Sequence, residues 1–220
     1  MTTPDLTGRY DRQKDLVPAE RLAGLTVTVI GVGAIGRQAA LQLAAIGASC
    51  LQLVDFDVVE VANLAPQGFL EEDLGGLKVE AVGDACRRIN SGIEVTEEPG
   101  RFRRSLSIGQ AVFCCVDKIE TRRLIWEAVK DRVGFFADTR MSAEIIRILT
   151  AADAAGREHY PTTLFAAAEA HAGACTAKST IYTASIAAGL AVGQFAKWLR
   201  RLPLEPDITL NLLTAELTVT

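Results

Sequence analysis

Three glycines, Gly31, Gly33 and Gly36 in the stretch GVGAIG, stand where the apolar run LTVTVIG gives way to the helix-patterned AIGRQAALQLAAIG. Glycines at a strand end permit a tight turn and close backbone approach, so that free amide N–H groups at the helix start can bind phosphate. Asp55 follows Gly36 by 19 residues, the spacing at which an acid ending a second strand accepts hydrogen bonds from ribose hydroxyls. Together these residues predict a nucleotide site without choosing between NAD and ATP. Asp57, in the same DFD, is an accessory carboxylate.

The next residues discriminate further. In a simple dehydrogenase the acidic strand end passes quickly to a helix, because the adenosine half needs nothing more there. Here a loop of roughly twenty residues separates Asp57 from Lys78 and carries Asn63, Pro66, Gln67 and a Gly-Gly pair before the lysine. Loops of that length are usually functional. Asp117, at the end of AVFCCVD, has the position of a ligand-binding carboxylate, since open parallel sheets bind ligands beyond their carboxyl strand ends. The competing reading is a cap on the helix that follows.

The elements that must hold these residues in place follow from hydrophobic period and punctuation. LTVTVIG, CLQLVDFD, IEVTEE, QAVFCCVD and VGFFAD read as strands, and they alternate with helices over AIGRQAALQLAAIG, Lys78 to about Asn90, and ETRRLIWEAVKDR. Such alternation implies right-handed crossovers and a parallel sheet. AEIIRILTAAD reads as a further strand, residues 154–175 as a long Ala- and Gly-rich loop, residues 176–202 as a long helix, and DITLNLLTAELTVT as two strands joined tightly. The expected fold is α/β, a doubly wound, mostly parallel, Rossmann-like sheet with an antiparallel C-terminal extension. Residues 1–220 form one domain, with a nucleotide-binding half over 1–137 and a second half over 138–220.

Composition bounds the function. With 220 residues, 49% hydrophobic and 23% charged, the chain has enough apolar content for one sizeable core. The net charge of −4 argues against electrostatic capture of nucleic acid or of an anionic membrane. No apolar run approaches the ~20 residues that span a bilayer, and the polar first twenty-odd residues do not resemble a signal peptide; a cytoplasmic location is expected. Of five cysteines, Cys50, Cys86, Cys114 and Cys115 fall in strand- or helix-like apolar segments, as reduced core thiols do, and only Cys175 lies elsewhere.

The ordered stretches RYDRQ, GVGAIG, DFDVVEVANLAPQ, GGLKVEA, CCVDKIETRR and CTAKSTIYTASIAAGLAVGQFAKWL resemble the ThiF/MoeB/HesA superfamily of adenylating enzymes, homologous to the activating enzymes of ubiquitin-like proteins. The resemblance covers most of the chain and implies that a partner's C-terminal carboxylate attacks the α-phosphate of ATP, giving an acyl adenylate and pyrophosphate. It further implies that Arg12 and Lys78 contact phosphates, Arg12 from a neighbouring subunit of a homodimer. By the same resemblance Asn63 and Gln67 edge the triphosphate site, Asp117 holds Mg2+, and the second half binds the carrier. The implied partner is a small ubiquitin-like or sulfur-carrier protein ending in Gly-Gly. Attack of one anion on another needs this kind of positive charge and alignment.

Cys175 aligns with the family's reactive cysteine, which accepts the acyl group as a thioester or takes part in sulfur transfer. It stands at the apparent start of a helix, where partial positive charge lowers a thiol pKa, and Lys178 adds to this. The competing reading is an inert small hydrophobe. The family's zinc-binding C-x-x-C pairs are missing, and adjacent Cys114 and Cys115 point to opposite faces of a strand; no zinc is expected.

One departure stands out. Most members carry arginine where this chain has Pro66, and proline supplies neither charge nor a backbone N–H. Another arginine such as Arg9 or Arg37 then substitutes, or the enzyme is slower, or the site binds without adenylating. A noncatalytic scaffold and an NAD-dependent oxidoreductase are the alternatives; the latter leaves Asn63, Lys78 and Asp117 unexplained. A tRNA-modifying dehydratase fits the acidic composition poorly.

Overall fold

The apolar run ahead of the glycines forms β1 (Thr26–Ile30), four of whose five residues are buried, as a strand covered on both sheet faces requires. The structure is a computed structural model and describes residues 6–165 and 179–220. In chain order the elements are α1 (Ala19–Leu22), β1, α2 (Ala34–Ile46), β2 (Cys50–Val54), α3 (Val61–Gln67), α4 (Lys78–Ile89), β3 (Glu94–Glu98), β4 (Ala111–Cys114), α5 (Ile119–Val129), β5 (Phe135–Ser142), β6 (Ile145–Ala151), α6 (Ala154–His159), α7 (Ile181–Leu199), β7 (Asp207–Asn211) and β8 (Glu216–Val219).

All eight strands join one sheet in the order β3-β2-β1-β4-β5-β6-β7-β8. The pairs from β3 through β5 are parallel, and those from β5 to β8 antiparallel. The expected doubly wound sheet with an antiparallel extension is therefore the architecture found. Strand order reverses between β1 and β4, which makes the carboxyl ends of these strands the switch point where such sheets bind ligands. β5 pairs with parallel β4 on one side and antiparallel β6 on the other, so the two halves of the chain share a sheet.

Two cores cover the sheet. On one face α2, α4 and α7 bury Leu43, Val82 and Phe195 against Leu53, Phe113 and Phe135. On the other, Trp126 of α5 packs on Phe136 and Tyr160, with ring centroids 5.1 and 4.7 Å apart. The Leu25–Gly31, Cys50–Asp57 and Gln110–Asp117 runs each contain their strand, and α2, α4 and α5 fall where their apolar stripes predict.

Three readings of the sequence need correction. Residues 154–163, expected as part of a long loop, form α6 and a 3-10 turn; Asp153 caps α6 by accepting the Gly156 N–H at 2.9 Å, and Arg157, His159 and Tyr160 tie the segment to the Val133 carbonyl, Asp207 and Asp138. The helix expected from residue 176 begins at Ile181, where Thr180 accepts the Thr183 N–H; the hydroxyl cap, invisible to hydrophobic period, sets the start. The stretch between Asp57 and Lys78 is not a plain loop either, since it contains α3 and a 3-10 turn over Glu71–Asp73. Glu60 N–H donates to Asn63 Oδ1 at 3.0 Å and starts α3, and Pro66 lies inside that helix.

Candidate active site

The three glycines have separate duties. Gly31 adopts φ +85°, and a Cβ there would lie 2.9 Å from the Cys115 carbonyl oxygen. A Cβ on Gly36 would run into the Gly31 carbonyl and touch Cys115 Cβ, so Gly36 seats α2 against the turn. Gly33, the N-cap of α2, faces the open side, with only the Gln67 side chain nearby. Two glycines thus shape the loop and the third leaves room above it.

Asp55, at the end of β2, binds this loop: its Oδ2 accepts the Val32 N–H at 2.7 Å and its Oδ1 the Asp57 N–H at 2.9 Å. Each carboxylate oxygen has a second lone-pair direction, so Asp55 keeps capacity for ligand hydroxyls while fixing the glycine turn. Lys78, the first residue of α4, donates to Asp57 Oδ2 at 3.1 Å, and its side chain is only 7% exposed against 46% for Asp57. Burial on the lysine side aims the ammonium at the half-open carboxylate. The backbone locks the same junction, Lys78 N–H donating to the Asp57 carbonyl at 3.0 Å.

These groups line one cavity of about 590 Å3 at the switch point, a volume suited to a small-molecule ligand. Gly31, Gly33, Asp55, Asp57, Gln67, Lys78 and Asp117 all line it. The N-cap of α5 is Lys118, without a side-chain cap bond, and the Asp117 carboxylate has no hydrogen-bond or ion-pair partner among the described residues. The capping role is therefore not what Asp117 performs. An exposed, unpartnered carboxylate facing a cavity suits Mg2+, which takes one or two carboxylates together with substrate phosphates.

Other residues named from the sequence lie apart from the cavity. Gly36 sits beneath it. Asn63 is not among the lining residues, and its side-chain oxygen is engaged at the start of α3. Arg12 is exposed in the turns before α1 and lies off the cavity of its own chain. Cys175, with Lys178, lies outside the described residues. Arg9 donates to the Ile89 carbonyl, and Arg37 is buried over the Phe69 ring with a centroid distance of 5.3 Å; neither lines the cavity.

Cations the sequence reading overlooked do line it: Arg101, Lys118 and Arg122. Arg122 is buried in a network, donating to Asp138, to the Val116 carbonyl and to the Thr139 carbonyl, and burial pulls it below its ordinary value. Asp138, fully buried, also accepts from Arg140 at 2.8 Å and from the Tyr160 hydroxyl at 2.9 Å. Arg140 is thus committed to the protein interior. Arg101, two residues after Pro99, follows the carboxyl end of β3; applying the strand-end rule to EPGRF as well as to DFD and CCVD flags it.

Cys115 also lines the cavity, but it is a poor nucleophile. Burial pushes its thiol up to about 11 against the hydrogen bond from Thr139 Oγ1, so it stays protonated near neutrality. Cys114 and Cys86 are raised by burial to about 11 and about 12.

Fold and site together define an α/β protein of doubly wound type whose switch-point cavity is lined by a glycine turn, carboxylates and a lysine. The ThiF family profile matches residues 10–218, and the chain belongs to the ThiF family. It is 41% identical over 133 residues to adenylyltransferase and sulfurtransferase MOCS3-2 of Zea mays, an alignment covering 55% of this chain and 27% of that protein. It is 36% identical over 125 residues to the molybdopterin-synthase adenylyltransferase of Salmonella typhimurium, covering 52% and 50%. The chain therefore matches between about a quarter and a half of the length of these relatives. The E. coli MccB structure determined with ATP superimposes with a TM-score of 0.79 at 17% identity, over 97% of this chain and 71% of that one.

Proposed function

We propose that this chain is an ATP-dependent adenylyltransferase that activates the C-terminal glycine carboxylate of a small ubiquitin-like or sulfur-carrier protein. The observation that carries this reading is the convergence of Gly31, Gly33, Asp55, Lys78 and Asp117 on one cavity at the switch point, in a chain of the ThiF family. Two relatives named as adenylyltransferases support the reaction class.

In this reading the α2 N-terminus and the glycine turn bind phosphate through backbone N–H groups, and Asp55 accepts from the ribose hydroxyls. Lys78 shifts from Asp57 toward the phosphates as the substrate carboxylate approaches, supplying charge where two anions meet. Asp117 holds Mg2+, which when bound neutralises phosphate charge. The carboxylate oxygen bonds to the α-phosphorus, the bond to the bridging oxygen breaks, and pyrophosphate leaves. The acyl group then passes to the Cys175 thiolate as a thioester with release of AMP. The half over 138–220 binds the carrier, and Arg12 reaches the nucleotide of the second subunit in a homodimer.

Pro66 favours one other reading, a site that binds nucleotide and carrier without chemistry. Calorimetric titration with ATP and with NAD, in Mg2+ and in EDTA, separates the classes. Tight ATP binding that weakens in EDTA and in Asp117→Asn supports an ATP–Mg2+ site, and ATP–pyrophosphate exchange with a Gly-Gly-terminated carrier then separates adenylation from binding alone. Tight NAD binding with no ATP binding overturns it.

A further inference from the structure

Phe56 stands between the two carboxylates of the DFD stretch, and the residue is 48% exposed at the cavity wall. The Arg101 guanidinium lies over it, 3.7 Å from the ring centroid. This approach is close enough for a strong cation–π contact, and arginine commonly makes it with the guanidinium stacked on the ring. Arg101 has no carboxylate partner among the described residues. Lys78 and Arg122, on the same cavity, are both paired with aspartates.

The order of groups along the sheet indicates what Arg101 meets. The glycine turn follows β1 and Asp55 ends β2, while Arg101 follows β3, the next strand outward. A nucleotide whose phosphates lie on the glycine turn and whose ribose lies on Asp55 brings its base to Arg101 and Phe56. A guanidinium stacked on one aromatic ring still offers its second face, and arginine stacks readily on planar groups. Neighbouring Phe102 adds apolar wall at the same end of the cavity.

We infer that the Phe56–Arg101 stack is the base-recognition wall of the nucleotide site, with the free face of Arg101 stacking on a purine. Arg101 is then a specificity-determining residue that contacts substrate, distinct from the phosphate-binding cations. The inference rests on the nucleotide-binding reading above and adds the base contact to it.

The test measures affinities of ATP, CTP and inorganic tripolyphosphate for the full chain and for Arg101→Ala, Arg101→Lys and Phe56→Leu. The larger purine gains more from the stack, so Arg101→Ala weakens ATP by about ten-fold, weakens CTP less and leaves tripolyphosphate unchanged. The ATP-to-CTP preference therefore collapses. Arg101→Lys does not restore it, because an ammonium is not planar, and Phe56→Leu moves the ratio in the same direction. Equal losses for ATP, CTP and tripolyphosphate would make Arg101 a phosphate contact and overturn the inference, as would unchanged affinities. Wild-type protein that binds neither ATP nor CTP would instead remove the nucleotide reading itself.

Discussion

Lys78 and Asp57, 21 residues apart, are joined twice: the lysine ammonium donates to the aspartate carboxylate at 3.1 Å, and the lysine backbone N–H donates to the aspartate carbonyl at 3.0 Å. The double link closes the α3-containing connection into a rigid rim and holds a buried ammonium at the cavity edge. Removing the ammonium leaves a half-exposed carboxylate that water solvates, so the fold loses little. Lys78→Ala is expected to lower ATP–pyrophosphate exchange by about 100- to 1,000-fold while the thermal midpoint stays within a few degrees. A collapse of the thermal midpoint would make Lys78 structural.

Asp207 of β7 is gripped by Arg147, with Nε at 3.0 Å from Oδ1, and by His159 Nε2 at 3.0 Å from Oδ2. Burial works to raise this carboxyl, but the hydrogen bonds from Arg147 and His159 outweigh it, and the group lies below the usual carboxylate range. A depressed carboxyl stabilises the fold above its unfolded value near pH 4, and that stability is lost as pH falls through the folded value. Because Arg147 is partly solvated, the contribution is about 1 kcal/mol. Urea midpoints measured from pH 6 down to about pH 2 should fall less steeply in Asp207→Asn than in the wild type. Parallel curves would assign the acid sensitivity elsewhere.

How much of this was legible beforehand depended on the kind of signal. β1, β2 and β4 are buried on both faces and so appear as unbroken apolar runs, and the glycine turn with Asp55 has a fixed spacing; these needed only the sequence. α6 and the true start of α7 depend on single capping side chains, Asp153 and Thr180, in segments whose Ala and Gly content carries little period. Asn63 stood out as a polar residue in the long connection, yet its oxygen is used to begin α3. Arg101 lies in none of the motif stretches, and Arg122, although within CCVDKIETRR, has no spacing that marks it, because their place on the cavity comes from strand order and from the buried partner Asp138. Pairing across the sheet cannot be read from local pattern.

Arg12 lies off the cavity of its own chain, and in the proposed homodimer it completes the neighbour's site. Arg12→Ala and Asp117→Ala should each be inactive alone. Mixed after subunit exchange, they should recover about a quarter of wild-type exchange, since a heterodimer has one intact site in a two-fold assembly. No recovery despite demonstrated heterodimers would place Arg12 and Asp117 at the same chain's site or remove Arg12 from it.

Pro66 sits inside α3, one position before cavity-lining Gln67. Pro66→Arg supplies both a helix N–H and the charge that the family resemblance implies there, and exchange is expected to rise by about ten-fold. An unchanged rate would mean that the remaining cations already meet the need.

The most direct measurement is ATP–pyrophosphate exchange with a small carrier protein ending in Gly-Gly, run beside the same carrier lacking its last two residues. Exchange that requires the intact carrier, disappears in Asp117→Ala and persists in Cys175→Ala, with the thioester lost in both variants, is the expected result. No exchange with any Gly-Gly carrier, together with tight NAD binding, contradicts it.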